Sequence, residues 1–200
     1  MEISFNGLLF YFILCLTSCS KGNANNEQIQ DFPDAIGNSW TYNVFDSIKH
    51  ISDTEFVKII GTTTLNNGMN SKIIRTINYF SADTTFTYLE TSGNRAIFYL
   101  NKDAKDYNKV YQFPLKENTY WFGENLLDTN KVISKENIIV PAGSFIAYKI
   151  HRSYTVTNVG INETEWYTPK IGMIKRDYYE RNIGFTIKKT YELVYYKIHD

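Results

Sequence analysis

Two cysteines, a pair of carboxylates beside a tryptophan, and three histidines are the side chains here whose types could do chemistry. A thiolate is a nucleophile and a metal ligand, and the chain has two thiols, Cys15 and Cys19, both near its start. Glu163 and Glu165 lie two residues apart, which places them on one face of a strand next to Trp166. Two acids with an aromatic neighbour suit sugar chemistry, since glycosidases hold their carboxyl pair about 5 to 9.5 Å apart. A solvated strand face is the commoner cause of that spacing, so the pair is expected at the surface. His50, His151 and His199 have no HExxH pattern or close carboxylate cluster around them, which argues against zinc. His151, beside Lys149 and Ser153, reads as a surface histidine on the polar side of a strand. No GxSxG elbow, EF-hand loop or phosphate-cradling glycine loop occurs. These residues predict a protein that is not an enzyme and needs no cofactor or metal.

The cysteines gain meaning from the segment that carries them. Gly7 to Leu16 reads GLLFYFILCL, an apolar run of roughly 10 residues, too short for the about 20 that span a bilayer. It fits the h-region of a signal peptide. Leu16-Thr17-Ser18-Cys19 follows and resembles a bacterial lipobox: an aliphatic residue, two small residues, then the thiol. That resemblance implies cleavage before Cys19, diacylglycerol on its sulfur and a third acyl chain on the new amino group. Cys15 would leave with residues 1–18, and the mature chain would keep one thiol with no intramolecular disulfide partner. One acyl chain holds a protein on a membrane only marginally, whereas two or more anchor it. Met1 to Ser18 contain Glu2 and no Lys or Arg, unlike the usual positive n-region. This points to an atypical export signal or a start other than Met1. Ser20 after the cysteine resembles outer-membrane sorting in enteric bacteria, so a lipid-anchored outer-membrane location is expected, facing either the periplasm or the outside.

Ser20 to Gln30 reads SKGNANNEQIQ, polar and without apolar period, and is expected to be a flexible tether within 19–31. At roughly 3.3 Å per residue it reaches about 35 Å. Residues 32–200 are one domain's worth of chain. With 21 basic and 21 acidic residues in the whole sequence, neither nucleic acid nor a polybasic membrane patch is indicated. Aromatic residues make up 16 %, a bias that suits β structure.

Strand periodicity dominates after Phe32. Trp40, Tyr42 and Val44 alternate with polar neighbours, and Ile73, Ile77 and Tyr79 share a parity broken by Arg75. Ile146, Tyr148, Ile150, Tyr154 and Val156 form an apolar face interrupted only by Arg152; Phe185, Ile187, Tyr191, Leu193 and Tyr195 form another. Turn residues separate these runs at Asn66-Asn67-Gly68, Ser92-Gly93-Asn94, Pro141-Ala142-Gly143 and Asn158-Val159-Gly160. The expected fold is all-β and mostly antiparallel, a curved sheet, barrel or sandwich of about ten strands.

Several strings resemble, in order, those of a β-rich family of exported Bacteroidetes-type lipoproteins. They are Phe32-Pro33 with Gly37-Asn38-Ser39-Trp40-Thr41-Tyr42, then Val140-Pro141-Ala142-Gly143-Ser144-Phe145, then Trp166-Tyr167-Thr168-Pro169 with Ile171-Gly172-Met173-Ile174-Lys175. The resemblance brings no catalytic residue, and the strings read as scaffold, with Trp40 and Trp166 large enough to anchor a core. Asp46-Ser47-Ile48 and Asp83-Thr84-Thr85 resemble the O-glycosylation acceptors of exported Bacteroidetes proteins, which marks Ser47 and Thr84. The expected function is a membrane-anchored envelope lipoprotein with a non-enzymatic binding or accessory role towards an envelope protein or glycan. Two alternatives stand beside it. One is a carrier with an apolar ligand in a cavity lined by Phe86, Tyr88, Phe98 and Tyr111; the other is an envelope-polymer hydrolase.

Overall fold

Alternating inward and outward side chains build twelve strands in the computed structural model, which describes residues 31–123, 127–156 and 159–199. Residues 1–18, Cys19 and the 19–31 tether up to residue 30 lie outside the described residues, as does Asn158 of the last turn. The strands are β1 (Ser39–Asp46), β2 (Ile51–Thr64), β3 (Asn70–Asn78), β4 (Asp83–Ser92), β5 (Arg95–Tyr99), β6 (Tyr107–Gln112), β7 (Tyr120–Phe122), β8 (Asp128–Val140), β9 (Gly143–Val156), β10 (Val159–Thr168), β11 (Gly172–Asn182) and β12 (Phe185–Lys197). All ladders are antiparallel, in the order β6-β5-β4-β3-β2-β1-β12-β11-β10-β9-β8-β7, and no helix forms among the described residues. The all-β expectation is met, with twelve strands in place of about ten.

Each half of the sheet is a meander, and pairing of β1 with β12 joins the halves at the middle. The sheet curls into a nearly closed barrel. Its free edges β6 and β7 approach each other, and Trp121 on β7 donates its indole N–H to the Val110 carbonyl on β6 at 2.8 Å. Gly123 follows β7 in this seam. A Cβ there would collide with the Tyr107 hydroxyl and lie 2.8 Å from Asp128 Cβ, so the close approach of the edges requires glycine.

The core runs along the inside: Trp40, Tyr42 and Val44 from β1, Ile59, Ile74, Leu89, Val110, Val132, Ile150, Tyr167, Ile174 and Leu193 from the other strands. Each fully buried Leu, Ile or Val stabilises the fold by about 1.5–3 kcal/mol relative to exposure. Bulges adjust this pattern and tighten the twist. The register shift beside Thr41 and Tyr42 reverses the expected phase late in β12, so Tyr195 is exposed while Tyr196 packs against the core. In β3 the inward residues are Ile74 and Thr76, and the Ile73–Ile77 parity is half-buried on the outside. Isoleucine occupies both faces of that strand, so apolar periodicity alone picks the wrong one.

The family-like strings meet in space at the end where residue 31 enters. Trp40 donates its indole N–H to the Ile171 carbonyl at 2.6 Å, and the Tyr42 hydroxyl donates to the Met173 carbonyl at 3.1 Å. Asn38, wholly buried, donates to the Pro33 carbonyl at 3.1 Å and accepts from the His199 amide at 2.7 Å. The Ala142 amide in the β8–β9 turn donates to the Leu193 carbonyl at 3.0 Å. Gly172 has a φ of 106°, and a Cβ on it would lie 3.3 Å from Trp40 Nε1, so a side chain there would be both strained and crowded. Asp31 is already buried, its carbonyl accepting from the Tyr167 hydroxyl at 3.1 Å.

Candidate functional site: a charged interior cavity

Inward parity carries charge as well as core. On β10 the inward positions are Glu163, Glu165 and Tyr167; on β9 Ile150 and Arg152; on β11 Arg176 and Tyr178; on β2 Glu55 and Val57, a set fixed by the ladders. The sequence expectation for Glu163 and Glu165 is therefore half met. They share a face, but it is the inner one, and each is 2 % exposed. Trp166 points the other way, onto the outer surface. There its N–H donates to Glu136 at 2.7 Å and the ammoniums of Lys149 and Lys175 lie over its ring. Trp166 is thus buried, at 7 % exposure, but under side chains of the outer face and outside the interior core cluster.

Burying acids without partners is costly, and the sheet brings partners from strands remote in sequence. Lys109 on β6 donates across the interior to both Glu163 and Glu165, and the Tyr111 hydroxyl donates to Glu165. Arg152 donates from Nε to Asp128 at 2.8 Å and lies 3.8 Å from Glu163. The Arg176 guanidinium stacks 3.8 Å above the Tyr191 ring. Burial pushes the Glu163 carboxyl up, but Lys109, Arg176 and Arg152 outweigh that and hold it well below the ordinary carboxylate range. Glu55 shows the reverse: burial raises its carboxyl, and the attraction of Arg176 and Lys189 only partly offsets the rise. Burial, then the Glu165 charge, push the Tyr111 hydroxyl far up, so it stays a donor.

Beside this network lies a cavity of 280 Å³. Part of its wall is aromatic and aliphatic, with Phe32, Trp40, Phe98, Tyr111 and Tyr167; the rest is polar, with Glu55, Thr76, Thr85, Thr87, Asn108, Lys109 and Arg176. Phe98 and Tyr111 thus stand where the carrier alternative put them. Phe86 is exposed on the other face of β4 and Tyr88 shares its parity, so threonines take their place in the wall. A wider cleft of 550 Å³ beside Asp53, Tyr79 and Phe80 sits among hairpin ends, where Phe80 is 73 % exposed. It holds no comparable set of buried charges.

The other marked residues do not converge. His50 sits at a φ of 54° in the β1–β2 turn, His151 is half-buried in β9, and the His199 ring lies against Gly37. Among the described residues no group of three or more His, Cys, Asp or Glu could hold a metal ion. Ser47 follows β1 and Thr84 opens β4, both at the end of the barrel opposite residue 31. The Asp46 carboxylate accepts from the Ile48 and Lys49 amides at 3.0 Å each, a turn-forming role that accounts for its place before Ser47. Glu55, Lys109, Asp128 and Arg176 carry no local motif and were missed by sequence reasoning. The one available signal was a charge on an apolar parity, as at Arg152.

A family described as DUF3108-like matches residues 123–186, about a third of the chain. None of the curated proteins matches. A candidate lipoprotein from Parabacteroides distasonis ATCC 8503 is similar in structure, with a TM-score of 0.51 and 15 % identity over 84 % of this chain and 98 % of that one. A candidate exported protein with YmcC-like fold from Bacteroides fragilis NCTC 9343 gives a TM-score of 0.52 and 12 % identity over 83 % of this chain and 98 % of that one. The chain therefore shares the fold of these two Bacteroidetes proteins and carries, from the β7–β8 connection into β12, a segment similar to the DUF3108-like family.

Proposed function

We propose that the chain is an envelope lipoprotein, cut before Cys19, held on the outer membrane by lipid on that cysteine and tethered through 19–31 to a single β domain, 32–200. The domain works by binding, without catalysis. The observation that carries the non-enzymatic part is the pairing of Glu163 and Glu165 with one shared ammonium, Lys109. A hydrolase of envelope polymers needs one carboxyl free to give a proton and another free to act as base or nucleophile. Here both are spent on compensating a buried cation. The names given to the two structural neighbours, a candidate lipoprotein and a candidate exported protein, agree with the envelope location.

The carrier alternative survives in altered form. A cavity of 280 Å³ is slightly below the about 300–1,000 Å³ of most ligand sites, and Glu55, Lys109 and Arg176 in its wall disfavour an acyl chain. Ser47 and Thr84 are retained as O-glycan acceptors, with intact mass in the native host as their test. Metabolic labelling with palmitate tests the anchor: the full precursor takes up label, and Cys19→Ala does not. Equal labelling of the variant would refute the reading.

A further inference from the structure

We propose that the interior cavity binds a small uncharged polyhydroxylated ring, a monosaccharide-like molecule seated between Glu55 and Arg176. This rests on the binding reading above and names its ligand class; it does not depend on the lipid anchor.

Glu55 and Arg176 both line the cavity and feel each other's charge, yet among the described residues they form no ion pair within 4.0 Å. The Arg176 guanidinium lines the cavity and stacks on the Tyr191 ring, so a ring face and not a carboxylate is its neighbour there. A group lodged between the two must accept from the guanidinium and donate to the carboxylate. A hydroxyl does both at once. An anion would satisfy Arg176 and be repelled by Glu55, and a cation the reverse.

The neighbouring charges support a neutral ligand. Lys109 is already compensated by Glu163 and Glu165, and Arg152 by Asp128, so neither is available to capture an anion. The remaining polar wall is uncharged: the hydroxyls of Thr76, Thr85 and Thr87 and the amide of Asn108. The aromatic part of the wall is led by the half-buried Phe32 and Phe98, with ring centroids 5.4 Å apart, backed by Tyr111 and Tyr167. Aromatic faces are negative at their centres and attract the C–H faces of a sugar ring. The volume of 280 Å³, at the lower end of small-molecule sites, suits one such ring with its hydroxyls and little more. Thr85 and Asn108 are exposed, so the entrance lies between β4 and β6.

The test is amide and guanidinium NMR of the isotope-labelled full chain in detergent. The probes are methyl β-D-glucoside, galactose, N-acetylglucosamine, phenylalanine, acetate and ethylammonium. At least one of the three sugars should shift Thr85, Thr87, Asn108 and the Arg176 side chain, with a Kd on the order of 1 mM. Glu55→Leu should weaken that binding at least about tenfold. Thr85→Trp, at an exposed strand position that tolerates an aromatic, should block the entrance and abolish the shifts while leaving the remaining spectrum intact. That second variant keeps the test decisive if Glu55→Leu fails to fold. Saturable binding of phenylalanine or an ion in the cavity without any sugar overturns the ligand class and leaves the domain a binding module. No response at cavity residues to any probe overturns both.

Discussion

Lys109 on β6 is paired with Glu163 on β10 across the interior of the barrel, so charges from two strands that share no ladder compensate each other. The same ammonium holds Glu165, which makes Lys109 the cation on which two buried acids depend. Breaking a buried pair by removing one partner costs about 3–5 kcal/mol, because the other charge stays uncompensated. Lys109→Met should therefore lower the unfolding free energy extrapolated from urea titration by an amount in that range. Adding Glu163→Gln and Glu165→Gln to the same chain should recover part of the loss, since the two acids then carry no uncompensated charge. Unchanged stability of Lys109→Met would show that the acids do not rely on it.

The two inner carboxyls also predict opposite dependences on pH. Glu163 is held below its unfolded value, so the unfolded chain binds more protons and the Glu163 contribution, present above the unfolded pKa, is lost as pH falls towards the folded one. Glu55 is held above its unfolded value, so its ionisation on raising the pH through that range costs stability. Glu163→Gln should flatten the acid limb of a stability–pH curve. Glu55→Gln should match the parent chain in acid and exceed it at pH 7. A parent-like curve for both variants would contradict the assignment of charges.

The seam between β6 and β7 is the third target. Gly123→Ala places a methyl group against the Tyr107 hydroxyl and Asp128, an overpacking expected to cost about 1–3 kcal/mol. Tyr107→Phe removes the nearest atom, so the double variant should be less destabilised than the sum of the two single ones. Additive thermal melts would place the crowding elsewhere.

Strand periodicity carried much of this architecture in plain view. Trp40, Tyr42 and Val44 do face the core, and the turns at Gly68, Gly93 and Gly143 lie where glycine accepts a positive φ. What local reading missed was which face becomes the inside. Glu163 and Glu165 look like solvated acids because their partner, Lys109, lies more than fifty residues away and meets them only when the sheet curls. Arg152 stood out as a charge interrupting an apolar face, and that interruption was the visible trace of the inner network. Bulges hid the rest, since the register shift in β12 turns Tyr195 outward and Tyr196 towards the core, against the parity of the residues before them.

Cys19 stands apart from all of this, because the role proposed for it is chemical and does not depend on the barrel. The direct measurement is mass spectrometry of the N-terminal peptide from chain extracted out of native membranes. A mature chain that begins at Cys19 is expected, with diacylglycerol on the sulfur and an acyl group on the α-amine. A mature chain that retains residues before Cys19, or begins there with a free thiol, would contradict it.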